Sequence, residues 1–250
     1  MLNRMQLFLD IGNTALKWRW RHGEAILQGG CAHHRDWTAQ LAALAAAIPS
    51  VPQAIAVASV AGREADEYLR LALREAFGCT PQFYYSPSSD AGVRNAYLQP
   101  ERLGVDRWLA MVEAWHRSGA SIIIDCGSAL TLDLVGADGV HAGGYIVPGL
   151  RMLENSLVSG TGSISLDHAG ERAMDAGKFT VSCVQNGVLR MSVSFITDAV
   201  VALRNSVQDT CSIFITGGDA NTLLPYLDFA VLFSPDLVLD GLERVCAQNQ

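Results

Sequence analysis

The chain has no C-x-x-C pair among its six cysteines (Cys31, Cys79, Cys126, Cys183, Cys211 and Cys246), so neither a zinc site of the usual spacing nor a disulfide framework is indicated. They read as reduced, mostly buried small hydrophobes. Basic blocks are also missing. A formal charge of -7 with no Lys/Arg cluster to offset it argues against binding to a phosphate backbone, and no nucleic-acid partner is expected. The longest apolar runs are strand-sized or broken by glycine, so no membrane association is expected either. No apolar stretch of signal-peptide type opens the sequence, and a cytoplasmic protein is the expectation. His22, His33, His34, His116, His141 and His168 show no spacing that suggests a metal or a catalytic dyad. What is present is a chain of 250 residues, half of them hydrophobic, large enough for one big or two small domains.

The polar chemistry concentrates where two buried runs end in an acid. Ile122, Ile123 and Ile124 lead into Asp125, Cys126 and Gly127 turn the chain, and Leu130, Leu132 and Leu134 alternate with Thr131 and Asp133. That spacing predicts a strand, a tight turn and a half-buried return strand. Asp138 and Gly139 mark a second turn, so residues 141–147 should add a third antiparallel strand before Pro148 and Gly149 stop it. A looser copy opens the chain: Leu7, Phe8 and Leu9 lead into Asp10, residues Gly12, Asn13 and Thr14 turn, and Leu16, Trp18 and Trp20 alternate with Lys17, Arg19 and Arg21. Counted from the aspartate, the apolar return positions are even in the first copy and odd in the second. One residue of slip flips a strand's faces, so the two turns must differ in detail or one carries a bulge. Either aspartate could be an ordinary turn former. Two acids that each close a buried strand, with a glycine letting backbone N–H groups approach an anion, suit a metal-bound phosphate. Asp133 could contact a metal through water or simply belong to a polar strand face.

Between these hairpins, residues 37–48 are rich in alanine and leucine and predict a helix ended by Pro49 and Pro52. Residues 54–60 read as a buried parallel strand, residues 63–77 as a helix, residues 82–85 as a brief strand and residues 87–95 as a loop. Pro100 and Glu101 suit a helix start. Val105, Trp108, Leu109, Val112 and His116 then share one helical face. Asp106 and Arg107 fall off that stripe, which a solvated polar flank would explain. The same reverse side also carries Ala110, Met111 and Ala114, and a second contact there, with another domain or subunit, would set Asp106 and Arg107 beside a cleft.

After the second hairpin, residues 149–170 read as partly helical and mobile, residues 179–203 as a helix with Thr180 near its start, and residues 211–215 as a buried strand. Thr216, Gly217, Gly218 and Asp219 follow; the glycine pair leaves room for a flat ring, and Asp219 could cap a helix running to Leu227. Residues 231–233 and 237–246 complete the domain. Two similar halves are expected, residues 1–118 and 119–250, with the acidic turns facing each other across a cleft.

The order of Asp10-Ile11-Gly12-Asn13-Thr14, Asn95-Ala96-Tyr97, Gly104-Val105-Asp106-Arg107, Asp125-Cys126-Gly127-Ser128, Gly143-Gly144 through Pro148-Gly149, Thr216-Gly217-Gly218-Asp219 and the terminal run 235–241 resembles the type III pantothenate kinases nearly end to end. These belong to the acetate and sugar kinase/Hsp70/actin superfamily. The resemblance implies an α/β fold of two ribonuclease-H-like domains. It places Asp10, Ile11, Gly12, Asn13, Thr14, Ala15, Leu16 and Lys17 in the ATP phosphate loop, with Asp10 near magnesium, directly or through water. Ser128 matches an ATP-contacting hydroxyl that is more often threonine, and Gly217 and Gly218 fall in the nucleotide-binding motif. Asp125 matches the site of a monovalent cation, potassium or ammonium. Tyr97, Gly104, Val105, Asp106, Arg107 and Thr180 match pantothenate contacts, and Asp106 matches the general base. The family's homodimer, in which the residue like Thr180 reaches the neighbouring subunit's substrate, is implied as well.

The chemistry of these residue types agrees. Phosphoryl transfer needs a hydroxyl aligned with the γ-phosphorus and charge neutralised on its oxygens. Asp106 would orient the primary alcohol of pantothenate and take its proton, while Arg107 could hold either the substrate carboxylate or a phosphate oxygen. The favoured expectation is an ATP-dependent kinase making 4'-phosphopantothenate, the first step toward coenzyme A. The rivals are a non-catalytic nucleotide-binding regulator on the same fold and a sugar or acyl kinase of the same superfamily.

Overall fold

The computed structural model describes residues 4–32, 37–162, 164, 166, 171–206 and 210–248. The chain divides into two compact units, Met1–Glu113 with Asp236–Gln250, and Ala114–Pro235.

The first unit opens with β1 (Gln6–Ile11), β2 (Ala15–His22) and β3 (Ala25–Ala32), followed by α1 (Trp37–Ala47), β4 (Ala54–Ser59), α2 (Arg63–Phe77) and β5 (Gln82–Tyr84). Its sheet runs β3-β2-β1-β4-β5, an antiparallel meander extended by two parallel strands. The period of two places Leu7, Leu9 and Ile11 with Leu16, Trp18 and Trp20 on one face, where they bury against Leu41 and Leu44 of α1 and Leu69 and Leu73 of α2. Within the 87–95 segment, read from the sequence as a loop, lies a small hairpin of β6 (Ser89–Asp90) and β7 (Val93–Arg94). A 3-10 turn occupies Pro100–Arg102, and α3 (Val105–Ser118) starts after it rather than at Pro100.

The second unit repeats the plan with β8 (Ser121–Cys126), β9 (Ala129–Val135), β10 (His141–Pro148), α4 (Leu150–Gly160), α5 (Thr180–Asn205), β11 (Ser212–Thr216), α6 (Ala220–Leu223) and β12 (Leu232–Phe233). Its sheet order is β10-β9-β8-β11-β12, with β11 parallel to both β8 and β12. Two sheets of this one order are the paired ribonuclease-H-like domains of the acetate and sugar kinase/Hsp70/actin fold. By length and composition α5 could cross a membrane. Its apolarity is accounted for by Val184, Val188, Leu189, Ile196 and Val200, which bury against Ile122, Ile124, Leu130 and Leu132 of the sheet. Each such fully buried side chain contributes about 1.5–3 kcal/mol. The α4 helix realises part of the 149–170 segment; residues 163, 165 and 167–170 of that expectation lie outside the described residues.

The last helix, α7 (Leu237–Gln248), departs from the expected 118/119 division. Read from the sequence as completing the second domain, it packs on β1, β2 and β4 of the first. It buries Leu237, Leu239, Leu242 and Val245, and a charge match adds to that apolar contact. Arg19 of β2, only 6% exposed, donates to Asp240 at 2.6 Å and Glu243 at 3.0 Å, and Arg21 also pairs with Glu243. Burial works against the Arg19 charge, but hydrogen bonds and attraction from Asp240 and Glu243 outweigh it and raise its pKa above the ordinary value. Gly241 then brings α7 against the Leu109 backbone, where a side chain would collide. Hydrophobic periodicity carries no trace of such a cross-chain charge match.

Helix α3 is also more deeply set than its amphipathic stripe implied. Arg107, Ala110, Met111, Glu113 and Ala114 are buried together with Val105, Trp108, Leu109 and Val112, whereas His116 is exposed. The solvated-flank reading of Arg107 is therefore wrong. The smooth reverse face is covered by the single chain and does not in itself call for a second subunit.

Candidate active site

In the first unit, Asp10 is the penultimate residue of β1, directly opposite Lys17, and the next pair, Ile11 and Leu16, closes the strands. The Gly12 amide donates to the Ala15 carbonyl at 2.9 Å, which leaves Asn13, Thr14 and Ala15 exposed at the tip. Asp10, Gly12 and Lys17 are half-buried at its base. Ile11 and Leu16, counted from the sequence among the ATP-loop residues, point their side chains into the core, so they can offer the loop only backbone. The Val60 amide donates to the Ile11 carbonyl at 3.0 Å and anchors the turn to the end of β4.

The same unit assembles Tyr97 and residues Gly104, Val105, Asp106 and Arg107. Arg107, 6% exposed, donates from a terminal guanidinium nitrogen to the Tyr97 hydroxyl at 3.0 Å, and its guanidinium lies 5.8 Å from the ring centroid. The Arg107 amide donates to Asp106 Oδ1 at 2.8 Å. A side chain at Gly104 would run into that same carboxylate oxygen, so glycine is needed for the acid to hold its pose. Asp106 lies in the first turn of α3, where the helix dipole favours a negative charge. Val105 is buried and contributes packing.

In the second unit, Asp125 stands between Thr131 of β9 and Thr216 of β11 in the sheet register. Gly217 follows with φ of 93°, a conformation that disfavours any side chain. A Cβ there would lie 2.5 Å from both Asp125 Oδ1 and the Cys126 carbonyl oxygen. The Asp219 amide donates to that carbonyl at 2.9 Å, and the Gly149 amide donates to the Ser128 carbonyl at 3.0 Å. A side chain at Gly149 would meet the Gly127 and Ser128 carbonyls. Three turns are thus locked together around Asp125, while Gly218 is exposed. Asp219 occupies the N-cap position of α6 but makes no side-chain cap. Its carboxyl pKa is raised by burial, against the pull of Arg151 and Arg172. Burial, with Asp125 and Asp219 nearby, also pushes the Cys126 thiol up, keeping it neutral. Thr180 is exposed at the start of α5, whose first turn is held by the Ser182 hydroxyl accepting the Lys178 amide at 3.2 Å and the Phe179 amide at 3.3 Å.

The histidine inventory missed one pair. His141 Nε2 lies 3.1 Å from Asp133 Oδ1, both side chains buried. A bulge between His141 and Gly143 sets this register, and Gly143, with φ of 110°, was its sequence signal. Asp133 therefore has a strand-face partner in His141.

Among the described residues no group of three or more His, Cys, Asp or Glu is placed to hold a metal ion. A single carboxylate such as Asp10 suits magnesium, which keeps several waters and takes its other ligands from phosphates. At Asp125 the Gly217 backbone packs directly on the carboxylate and the Cys126 carbonyl oxygen, and the carboxylate is a hard oxygen donor of the kind an alkali cation takes.

The type III pantothenate kinase family model matches residues 6–202. The chain belongs to that family. A type III pantothenate kinase of Alcanivorax borkumensis is 51% identical over 98% of this chain and 100% of its own length. One from Pseudomonas aeruginosa is 37% identical over 97% and 99%. Among solved structures, a conserved Campylobacter jejuni protein carrying the Baf family transcriptional-activator name superposes with a TM-score of 0.60 at 19% identity, covering 97% of this chain and 98% of its own. At that identity the likeness speaks for the fold alone. Relatives carrying the pantothenate kinase name thus span 97% and 98% of the chain, both sheets included.

Proposed function

We propose that this chain transfers the γ-phosphoryl group of ATP to the primary alcohol of pantothenate, giving 4'-phosphopantothenate and ADP, the entry step to coenzyme A. The observation that carries the reading is full-length family membership in a chain whose Asp106 carboxylate is oriented by its neighbour's amide at the start of α3, beside the Arg107–Tyr97 pair.

The alcohol oxygen attacks the γ-phosphorus, the bond to the β–γ bridging oxygen breaks, and Asp106 accepts the alcohol proton. Arg107 and Tyr97 orient the substrate; a buried guanidinium already hydrogen-bonded to a tyrosine is pre-organised to receive a carboxylate or amide oxygen. The exposed 12–15 turn, with Lys17 at its base, receives the ATP phosphates, and Asp10 takes part in holding magnesium. Ser128, Gly217 and Gly218 serve the nucleotide, and Asp125 holds potassium or ammonium. The bound cations would supply charge neutralisation on the phosphate oxygens.

A cytoplasmic homodimer completes the proposal, with Thr180 reaching the partner's pantothenate. Exposed apolar side chains on the second unit support a contact surface there: Tyr145 and Ile146 of β10, Met152 of α4, and Phe179 and Met191 at and along α5.

The test is direct. Purified protein with ATP, magnesium and potassium is offered pantothenate and a panel of sugars and acyl acids; a phosphorylated product from pantothenate alone is expected. Product from a sugar or acyl acid instead, or nucleotide binding without any product, would replace the proposal with one of its rivals. Asp106→Asn should bind ATP normally and lose about two to four orders of magnitude in kcat.

A further inference from the structure

Asn95 lies outside every role assigned above, yet its side chain makes three hydrogen bonds within the 86–107 segment. Its carboxamide nitrogen donates to the Pro87 carbonyl at 3.1 Å and to the Pro100 carbonyl at 3.3 Å, and its carboxamide oxygen accepts the Tyr97 amide at 2.9 Å. Its own amide donates to the Ser88 carbonyl at 2.9 Å. An asparagine side chain has two N–H donors and one carbonyl oxygen, and here both donors and the oxygen are engaged. The Pro100 carbonyl also accepts the Leu103 amide at 3.1 Å, and the buried Ser86 hydroxyl donates to the Leu103 carbonyl at 2.9 Å. Leu103 runs directly into Gly104 and α3.

The bonds close into a ring. From Asn95 one arm passes to Tyr97 and its hydroxyl; the other passes through Pro100 and the 3-10 turn to Gly104, Asp106 and Arg107; the arms meet at the Arg107–Tyr97 hydrogen bond. The segment between Pro87 and Pro100 holds only the two-residue strands β6 and β7, so little other secondary structure keeps its ends in place. The structure assigns Asn95 as a positioning residue: its carboxamide sets Tyr97 and Arg107 in the pose that binds the acceptor substrate. This rests on the reading of Tyr97 and Arg107 as pantothenate contacts. Proline at 87 and 100 fits the role, because each offers a carbonyl without an N–H of its own to divert.

The test measures steady-state kinetics for both substrates, with thermal melts, in Asn95→Ala, Tyr97→Ala and the double variant. Asn95→Ala should raise the pantothenate KM about tenfold while the ATP KM stays within about twofold. In the Tyr97→Ala background the same change should add less than about twofold, because both substitutions remove one pose. If Asn95→Ala does not fold, Asn95→Ser replaces it under the same criteria, since its hydroxyl can still accept the Tyr97 amide but cannot bridge two carbonyls. A pantothenate KM raised in Tyr97→Ala but unchanged in the Asn95 variant would overturn the positioning role and leave the contact reading standing. No change in either would overturn both. Equal losses for the two substrates, or effects that multiply fully in the double variant, would make Asn95 a stability residue and overturn the proposal.

Discussion

The two acidic hairpins share a plan and differ in how their turns are built. Asp10 pairs with Lys17 and Asp125 with Thr131, so the first turn is one residue longer. That extra residue resolves the parity conflict in the sequence: Ile11 still meets Leu16 and Cys126 still meets Leu130, and both return strands keep their apolar face inward. The surroundings differ more. The Asp10 turn ends in three exposed residues, and a Cβ at Gly12 would come no closer than 3.4 Å to the Ala15 carbonyl oxygen. The Asp125 turn is enclosed by Gly217, Gly149 and two inter-turn hydrogen bonds. The return strands diverge too: Arg19 and Arg21 meet the acids of α7, whereas Asp133 meets His141. The first hairpin is the open loop proposed to receive the ATP phosphates. The second is the enclosed seat proposed for the monovalent cation.

Three substitutions probe that contrast. Gly217→Ala should have the largest effect, because it combines a φ of 93° with collisions against Asp125 and Cys126; about 2–4 kcal/mol of stability should be lost, read as a lower midpoint in denaturant unfolding. Gly12→Ala should cost less than about 1 kcal/mol yet raise the ATP KM about tenfold, since its methyl group obstructs phosphate approach without disturbing the fold. Equal stability losses at the two glycines would erase the distinction between seat and open loop. The smallest effect is expected at Asp219, whose burial raises the carboxyl pKa. The native state then holds the proton to higher pH than the unfolded chain, so stability falls as pH rises from the ordinary carboxylate range through the raised value. Asp219→Asn should therefore melt slightly higher than the parent at pH 7, and the gain should vanish near about pH 3, where both states are protonated. A gain that persisted in acid would assign the effect to packing instead.

Much of the site was legible one residue at a time. A strand running into aspartate with a glycine two residues on is a local pattern, and it marked Asp10 and Asp125 without coordinates, whereas Gly217 alone was a weak signal and the Gly104-to-Arg107 run was marked as a site only by the family resemblance. Asn95 was legible only as a letter in a motif, because its meaning lies in two carbonyls several residues away on either side. For Arg107 helix periodicity alone left a solvated flank open, since it ranks faces by hydrophobicity and carries no record of the tyrosine hydroxyl that the guanidinium meets. His141 and Asp133 were separated by a bulge that alternation alone does not locate.

By itself, the amino-acid order determined the two meanders, the buried faces of their strands and the acids at their ends, because side-chain period and turn chemistry act over a few neighbouring residues. Only the tertiary structure decided that α7 returns to the first sheet, that α3 is buried on both sides, and that Asp125 rests under a glycine from another strand. Those outcomes depend on charge pairs and close backbone approaches between residues far apart in the chain, where no local pattern records them.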